Sequence, residues 1–121
     1  GCVVSDNAGS DNLGDGIFVA HGSTVSQNTV MYNGGNGIYA LGGATVSGNA
    51  ARENGSDGIY AGLGSTVSGN TATFNDGYGL NLSGGGSAYS GNVISSNTAG
   101  TVNGSGAQPG QNACDGNTTC P

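Results

Sequence analysis

Residues 57–75, DGIYAGLGSTVSGNTATFN, decide how this chain folds, because nearly the same text stands twice upstream. Residues 36–54 read NGIYALGGATVSGNAAREN, and residues 15–33 read DGIFVAHGSTVSQNTVMYN. Ile17, Ile38 and Ile59 are spaced by 21, and so are Asn28, Asn49 and Asn70. Self-similarity at a fixed period of this size marks a solenoid, since one repeat cannot bury its own apolar face and has to stack on its neighbours. In IYA the Ile and Ala point one way and Tyr the other, and in TVS the Val opposes Thr and Ser, which is the period-two alternation of strands. Glycine every few residues weighs against a helix. Three short strands per turn, joined by Gly and Asn corners, predict an all-β, single-stranded parallel β-helix of about 21 residues per rung. Its rungs should lie about 4.8 Å apart, the spacing of paired strands.

The composition fits a stacked coil better than a layered domain. The 121 residues include 27 Gly, no Trp and only 34% apolar residues, which is thin for an ordinary core. One basic residue, Arg52, stands against seven acidic ones, for a net charge of -6. That argues against nucleic acid, which needs Lys and Arg to displace counterions, and against docking on anionic lipid. No run approaches the roughly 20 apolar residues of a membrane-spanning helix, so no membrane insertion is expected. The chain opens with Gly rather than Met, as a processed product or a piece of a longer β-helix would.

Taken in order, the chain divides into rungs over residues 1–103 and a C-terminal loop or cap over 104–121. The rungs are a partial first one at 1–13, repeats at 14–34, 35–55, 56–76 and 77–98, and a last half rung at 99–103, or roughly 4.5 to 5 in all. The fourth repeat gains one residue in its Gly-rich turn, since Asn70 to Asn92 is 22. Superposing the rungs assigns four inward columns: Val4, Val25, Val46, Val67 and Tyr89; Val30, Ala51, Ala72 and Ile94; Ile17, Ile38, Ile59, Leu80 and Val102; and Val19, Ala40, Ala61 and Leu82. Two further columns are polar. One is Asn7, Asn28, Asn49, Asn70 and Asn92, and the other is Asn12, Asn33, Asn54, Asn75 and Asn97. An Asn repeated at a corner can bond its amide to the Asn of the next rung and satisfy the turn backbone, so these are predicted to be structural ladders.

Cys114 and Cys120 bracket a DGNTT loop and are candidates for a disulfide, with free or metal-bound thiols as the alternative. Repeats of the form GDGIYAGxGSTVSGNTAxxNGG, followed by YGLNL and the ending CDGNTTCP, resemble the bacterial right-handed parallel β-helix repeat proteins. The resemblance implies a right-handed coil and a secreted or cell-surface location. It implies no particular reaction, because lyases, hydrolases, tailspikes and adhesins share such coils.

The acidic residues are too scattered to converge on one site. Asp15 and Asp57 share a column but have the Asn36 rung between them, hence about 10 Å of separation. Asp57 and Asp76 come closer, yet two carboxylates fall short of the six to eight oxygens that calcium prefers. Arg52 beside Glu53 reads as a solvated side chain, and His21 stands alone in its turn. No catalytic residue, metal or cofactor is therefore expected. Two outward surfaces remain: an aromatic column of Phe18, Tyr39 and Tyr60, suited to sugar rings or a neighbouring subunit, and a hydroxyl face of Thr24, Ser26, Thr45, Ser47, Thr66 and Ser68. The leading expectation is a non-enzymatic extracellular structural subunit that stacks end to end into an oligomer or filament. Cys2, Val3 and Val4 would lie at that contact, where unpaired strand edges template another chain. The alternative is a glycan-binding adhesin or tail-fibre module that uses Phe18, Tyr39 and Tyr60. A polysaccharide lyase or hydrolase ranks last.

Overall fold

A computed structural model describes residues 1–115 and 120. β1 (Val3–Ser5) and β2 (Ala8–Ser10) begin the coil. Three regular turns follow: β3 (Ile17–Val19), β4 (Thr24–Ser26) and β5 (Thr29–Met31); β6 (Ile38–Ala40), β7 (Thr45–Ser47) and β8 (Ala50–Arg52); and β9 (Ile59–Ala61), β10 (Thr66–Ser68) and β11 (Thr71–Thr73). β12 (Tyr78–Ser90) then runs through two faces as one strand, and β13 (Val93–Ser95), β14 (Gly100–Ala107) and β15 (Ala113–Cys114) complete the described coil.

Every pairing is parallel and joins a strand to its copy one turn away, as the period predicts. Val4 pairs with Val25, Val25 with Val46, Val46 with Val67, and Val67 with Tyr89. A second face runs β3, β6, β9, β12 and β14, and a third runs β2, β5, β8, β11, β13 and β15. Short β-branched and small side chains suit this interior because opposing strands leave no room for longer ones. Val25, Val30, Ile38, Val46, Ile59, Val67, Leu80 and Ile94 are fully buried, each stabilising the coil by about 1.5–3 kcal/mol relative to an exposed position. The additional residue of the fourth repeat is absorbed where the β12–β14 register shifts, between Leu82 and Ser87.

The paired strands run on past Asn103, where the period arithmetic ends the rungs. β14 continues to Ala107 against β12, and β15 lies against β13 with Cys114 beneath Ile94. Asn112 extends the first asparagine column, its Oδ1 accepting from the Asn92 backbone at 3.1 Å and side chain at 2.8 Å. The spacing there has shrunk to 20, so a search for 21 or 22 passes over it. Cys114 and Cys120 form a disulfide. Most of the DGNTT loop between them, and Pro121, lie outside the described residues.

The asparagine columns are saturated hydrogen-bond ladders. Asn28 donates to Val4 O at 3.0 Å and to Asn49 Oδ1 at 3.0 Å, while its own Oδ1 accepts from the Asn7 backbone at 2.9 Å. The second column repeats this: Asn54 donates to Asn75 Oδ1 at 2.9 Å and accepts from the Asn33 backbone at 3.2 Å. Among the described residues, no buried side-chain nitrogen or oxygen lacks a partner, which is what lets so polar an interior be stable. A third polar column escaped the sequence reading: Ser65 Oγ accepts from the Ala44 backbone and Ser87 Oγ from the Ser65 backbone, at 3.2 and 3.1 Å.

Candidate functional site

The central residues of β3, β6 and β9 point outward because Ile and Val or Ala on either side point in. Rung spacing then brings Phe18, Tyr39 and Tyr60 face to face. Phe18 and Tyr39 stack with centroids 5.4 Å apart at 19°, and Tyr39 and Tyr60 at 4.3 Å and 5°. Such stacking consumes the ring faces. Tyr39 has a neighbour on both sides, so only the outer faces of Phe18 and Tyr60 and the ring edges are left for a ligand. The Tyr60 hydroxyl, by hydrogen bonding and then by charge, holds the Tyr39 phenol above its ordinary value of 10.0, so it stays a protonated donor well past neutral pH.

Below Tyr60 the column turns polar. Asn81 pairs with Tyr60 across the β9–β12 ladder, and its amide donates to Asp57 Oδ2 at 2.8 Å. Asn103 donates to Asn81 Oδ1 at 3.3 Å. Asp57 Oδ1 accepts from the Tyr78 backbone at 2.8 Å, and two turns up Asp15 Oδ1 accepts from both the backbone and the amide of Asn36, at 2.7 and 3.0 Å. Asp15, Asn36 and Asp57 thus form a ladder of their own beside the aromatic face, and the carboxylates act in it as acceptors for the turn. On the other flank Tyr60 borders a recess of about 430 Å³, shared with His21, Leu41, Leu63, Ser83 and Gly84. His21, unremarkable by sequence, therefore shares a cavity with Tyr60.

The remaining candidates are dispersed. Asp76 does not join Asp57 but lines a different recess with Tyr32, Glu53 and Phe74. Arg52 is half exposed, paired to Glu53 at 2.7 Å, with its guanidinium 5.4 Å from the Phe74 centroid. Thr24, Thr45 and Thr66 form one outward row and Ser26, Ser47 and Ser68 another, all in register. Cys2 is exposed with its thiol 3.5 Å from Ser23 Oγ, Val3 is 74% exposed, and Val4 is half-buried. Among the described residues, no three of His, Cys, Asp and Glu are grouped to hold a metal.

Residues 1–119 match the family described as a right-handed β-helix region. The chain belongs to that family. None of the curated proteins matches it. Among solved structures, this β-helix is similar to the periplasmic alginate epimerase AlgG, at TM-score 0.69 and 20% identity over 78% of this chain and 25% of that one. It is also similar to the A-module of the Azotobacter vinelandii mannuronan C-5 epimerase AlgE6, at TM-score 0.58 and 18% identity over 83% of this chain and 36% of that one. At these identities the likeness establishes the coil, of which the chain spans about a quarter to a third of each neighbour's length. The expectation that the chain is not an enzyme is corrected by these two, since each is an epimerase built on the same coil. A β-helix carries catalysis or lacks it according to the side chains grafted onto it.

Proposed function

We propose that this β-helix is the coil of an extracytoplasmic carbohydrate-active protein and holds a neutral polysaccharide along the face of Phe18, Tyr39, Tyr60 and Asn81. The observation that carries this reading is the continuity of that face: a stacked aromatic platform ends at Tyr60, where an open recess begins on one flank and the Asn81–Asp57 pair on the other. Sugars present apolar C–H faces and hydroxyl edges, so a free ring face beside fixed amide and carboxylate groups meets both. The two epimerases support a carbohydrate role, and the disulfide, with a neighbour named periplasmic, supports an oxidising compartment. The charge selects the polymer: with one cation against seven acids, the segment repels a polyuronate and tolerates an uncharged chain.

Calorimetric titration with neutral and uronic oligosaccharides of equal length tests this. The neutral series should bind more tightly, with little dependence on salt, and Tyr60→Ala should weaken it about ten-fold, the loss of one good aromatic contact. Equal or tighter binding of the uronic series, or no effect of Tyr60→Ala, overturns the reading. A second reading, self-association through Cys2, Val3 and Val4, is favoured by the exposure of Val3 beside Cys2. Sizing with and without reductant tests it, and a monomer in both removes it.

A further inference from the structure

The residue before each asparagine of the second ladder has a left-handed backbone: φ is 60° at Asp11, 57° at Tyr32, 53° at Glu53, 58° at Phe74 and 58° at Ser96. Asp relaxes in that conformation, but for an aromatic ring it is an outlier. At the other ladder the same conformation falls on Asp6 and Gln27 and then on Gly48, Gly69 and Gly91. The coil therefore has a relaxed solution for this turn and does not use it where Tyr32 and Phe74 stand. Neither ring gains burial in exchange, being 51% and 55% exposed. Disfavoured backbone at exposed aromatics is the pattern of side chains held for contact with something outside the fold.

Tyr32 and Phe74 are two rungs apart, hence about 10 Å, with Glu53 on the rung between. Unlike the rings of the aromatic face, they are too far apart to stack on each other, so neither covers the other, and one face of Phe74 is shared with Arg52. Together with Glu53, Asp76, Gly34 and Gly55 they line a recess of about 410 Å³. Arg52 pairs with Glu53 at 2.7 Å and stands over Phe74. Arg52 is exposed and Glu53 partly so, and an ion pair at such a surface is held weakly enough to exchange for a ligand's hydroxyls.

We infer that this corner is a second carbohydrate subsite, in which one neutral pyranose unit lies against Phe74 or Tyr32 and hydrogen-bonds Glu53 and Arg52 through its hydroxyls. The inference rests on the carbohydrate reading of the adjacent aromatic face. A neutral sugar fits better than a cation because Arg52 already pairs with Glu53, and better than an anion because Glu53 and Asp76 line the recess. The two sites flank the same turn of chain, residues 32–37 and their copies, so a polysaccharide can engage both by passing over that turn.

The test is titration of the wild-type protein with cellohexaose, maltohexaose and mannohexaose, followed by aromatic-ring NMR. Shifts at the Tyr32 and Phe74 rings are expected, and Tyr32→Asn with Phe74→Asn should weaken binding about ten-fold while Tm is unchanged or raised, because Asn relaxes in the left-handed backbone. Shifts confined to Tyr39 and Tyr60 overturn the corner site and leave the face reading standing. Shifts confined to Tyr32 and Phe74 overturn the face reading and keep the corner. Silence from all four rings with every sugar overturns both, and a lowered Tm in the Asn variants overturns the corner site by making the rings part of the fold.

Discussion

Each rung turns at two asparagine corners whose backbones are alike and whose occupants are not. At the first, between the TVS and TAT strands, the left-handed position before the ladder Asn holds Asp6, Gln27, Gly48, Gly69 and Gly91; at the second, before IYA, it holds Asp11, Tyr32, Glu53, Phe74 and Ser96. The ladders behind them are equivalent: Asn70 and Asn75 each donate to the next Asn and to a backbone carbonyl of the preceding rung. The same scaffold is thus satisfied from within at both corners, and what differs is what faces water. Structure is carried by the column that repeats, and function is to be sought in the column that varies.

The comparison breaks first if the two ladders prove unequal. Asn70→Ala removes the partners of Val46 O and of the Asn49 backbone and side chain, all buried, for a loss of about 4 kcal/mol on the scale of 1–3 kcal/mol per orphaned group. Asn54→Ala should cost the same within about 1 kcal/mol, since its bonds to Val30 O, Asn33 and Asn75 are the same set. Urea unfolding reads both, and a cost for Asn54 well below that for Asn70 would mean the second corner is held by its exposed side chains. Next in size is Gly69→Ala. The new Cβ meets nothing closer than 3.9 Å, but φ there is +64°, so it should lose about 1–2 kcal/mol from backbone strain alone.

How much of this was legible beforehand follows from what repeats. Val25, Val46 and Val67, or Asn28, Asn49 and Asn70, stand at one interval in one residue type, so stacking them needed only subtraction. Asn112 was missed because its interval is 20. The aromatic column was legible as a column, but not the 4.3 Å contact that uses up its faces, since alternation gives a side chain's direction and not its ring plane. The second corner was the least legible. Tyr32, Glu53 and Phe74 share no chemistry, so their common backbone is invisible without φ, although their alignment with Gly48 and Gly69 one corner earlier was a usable signal. The non-enzymatic expectation rested on counting carboxylates and is corrected by the two epimerases that share the coil.

Smaller effects sharpen the contrast. Phe74→Gly removes an exposed ring and its contact with Arg52, worth about 0.5–1 kcal/mol, and relieves a left-handed backbone costing about 1–2 kcal/mol. The balance by urea unfolding should be a gain of about 1 kcal/mol or less, opposite in sign to Gly69→Ala at the matching site. A clear loss would show that the ring holds the corner, and the distinction between the corners would go with it.

The smallest effect is in pH and marks the first corner. Tyr89 sits beneath Val67, just before Gly91 and Asn92, where burial raises its phenol above 10.0 and a hydrogen bond from Gln108 offsets part of the rise. With the folded value above the unfolded one, the folded chain keeps its proton longer, so stability is flat below pH about 10 and falls as pH rises past it. Tyr89→Phe should remove that part of the alkaline decline and leave neutral stability nearly unchanged. If instead the decline persists in full, the titrating group is Tyr39 on the aromatic face, and the interior column beside the first corner is insensitive to pH.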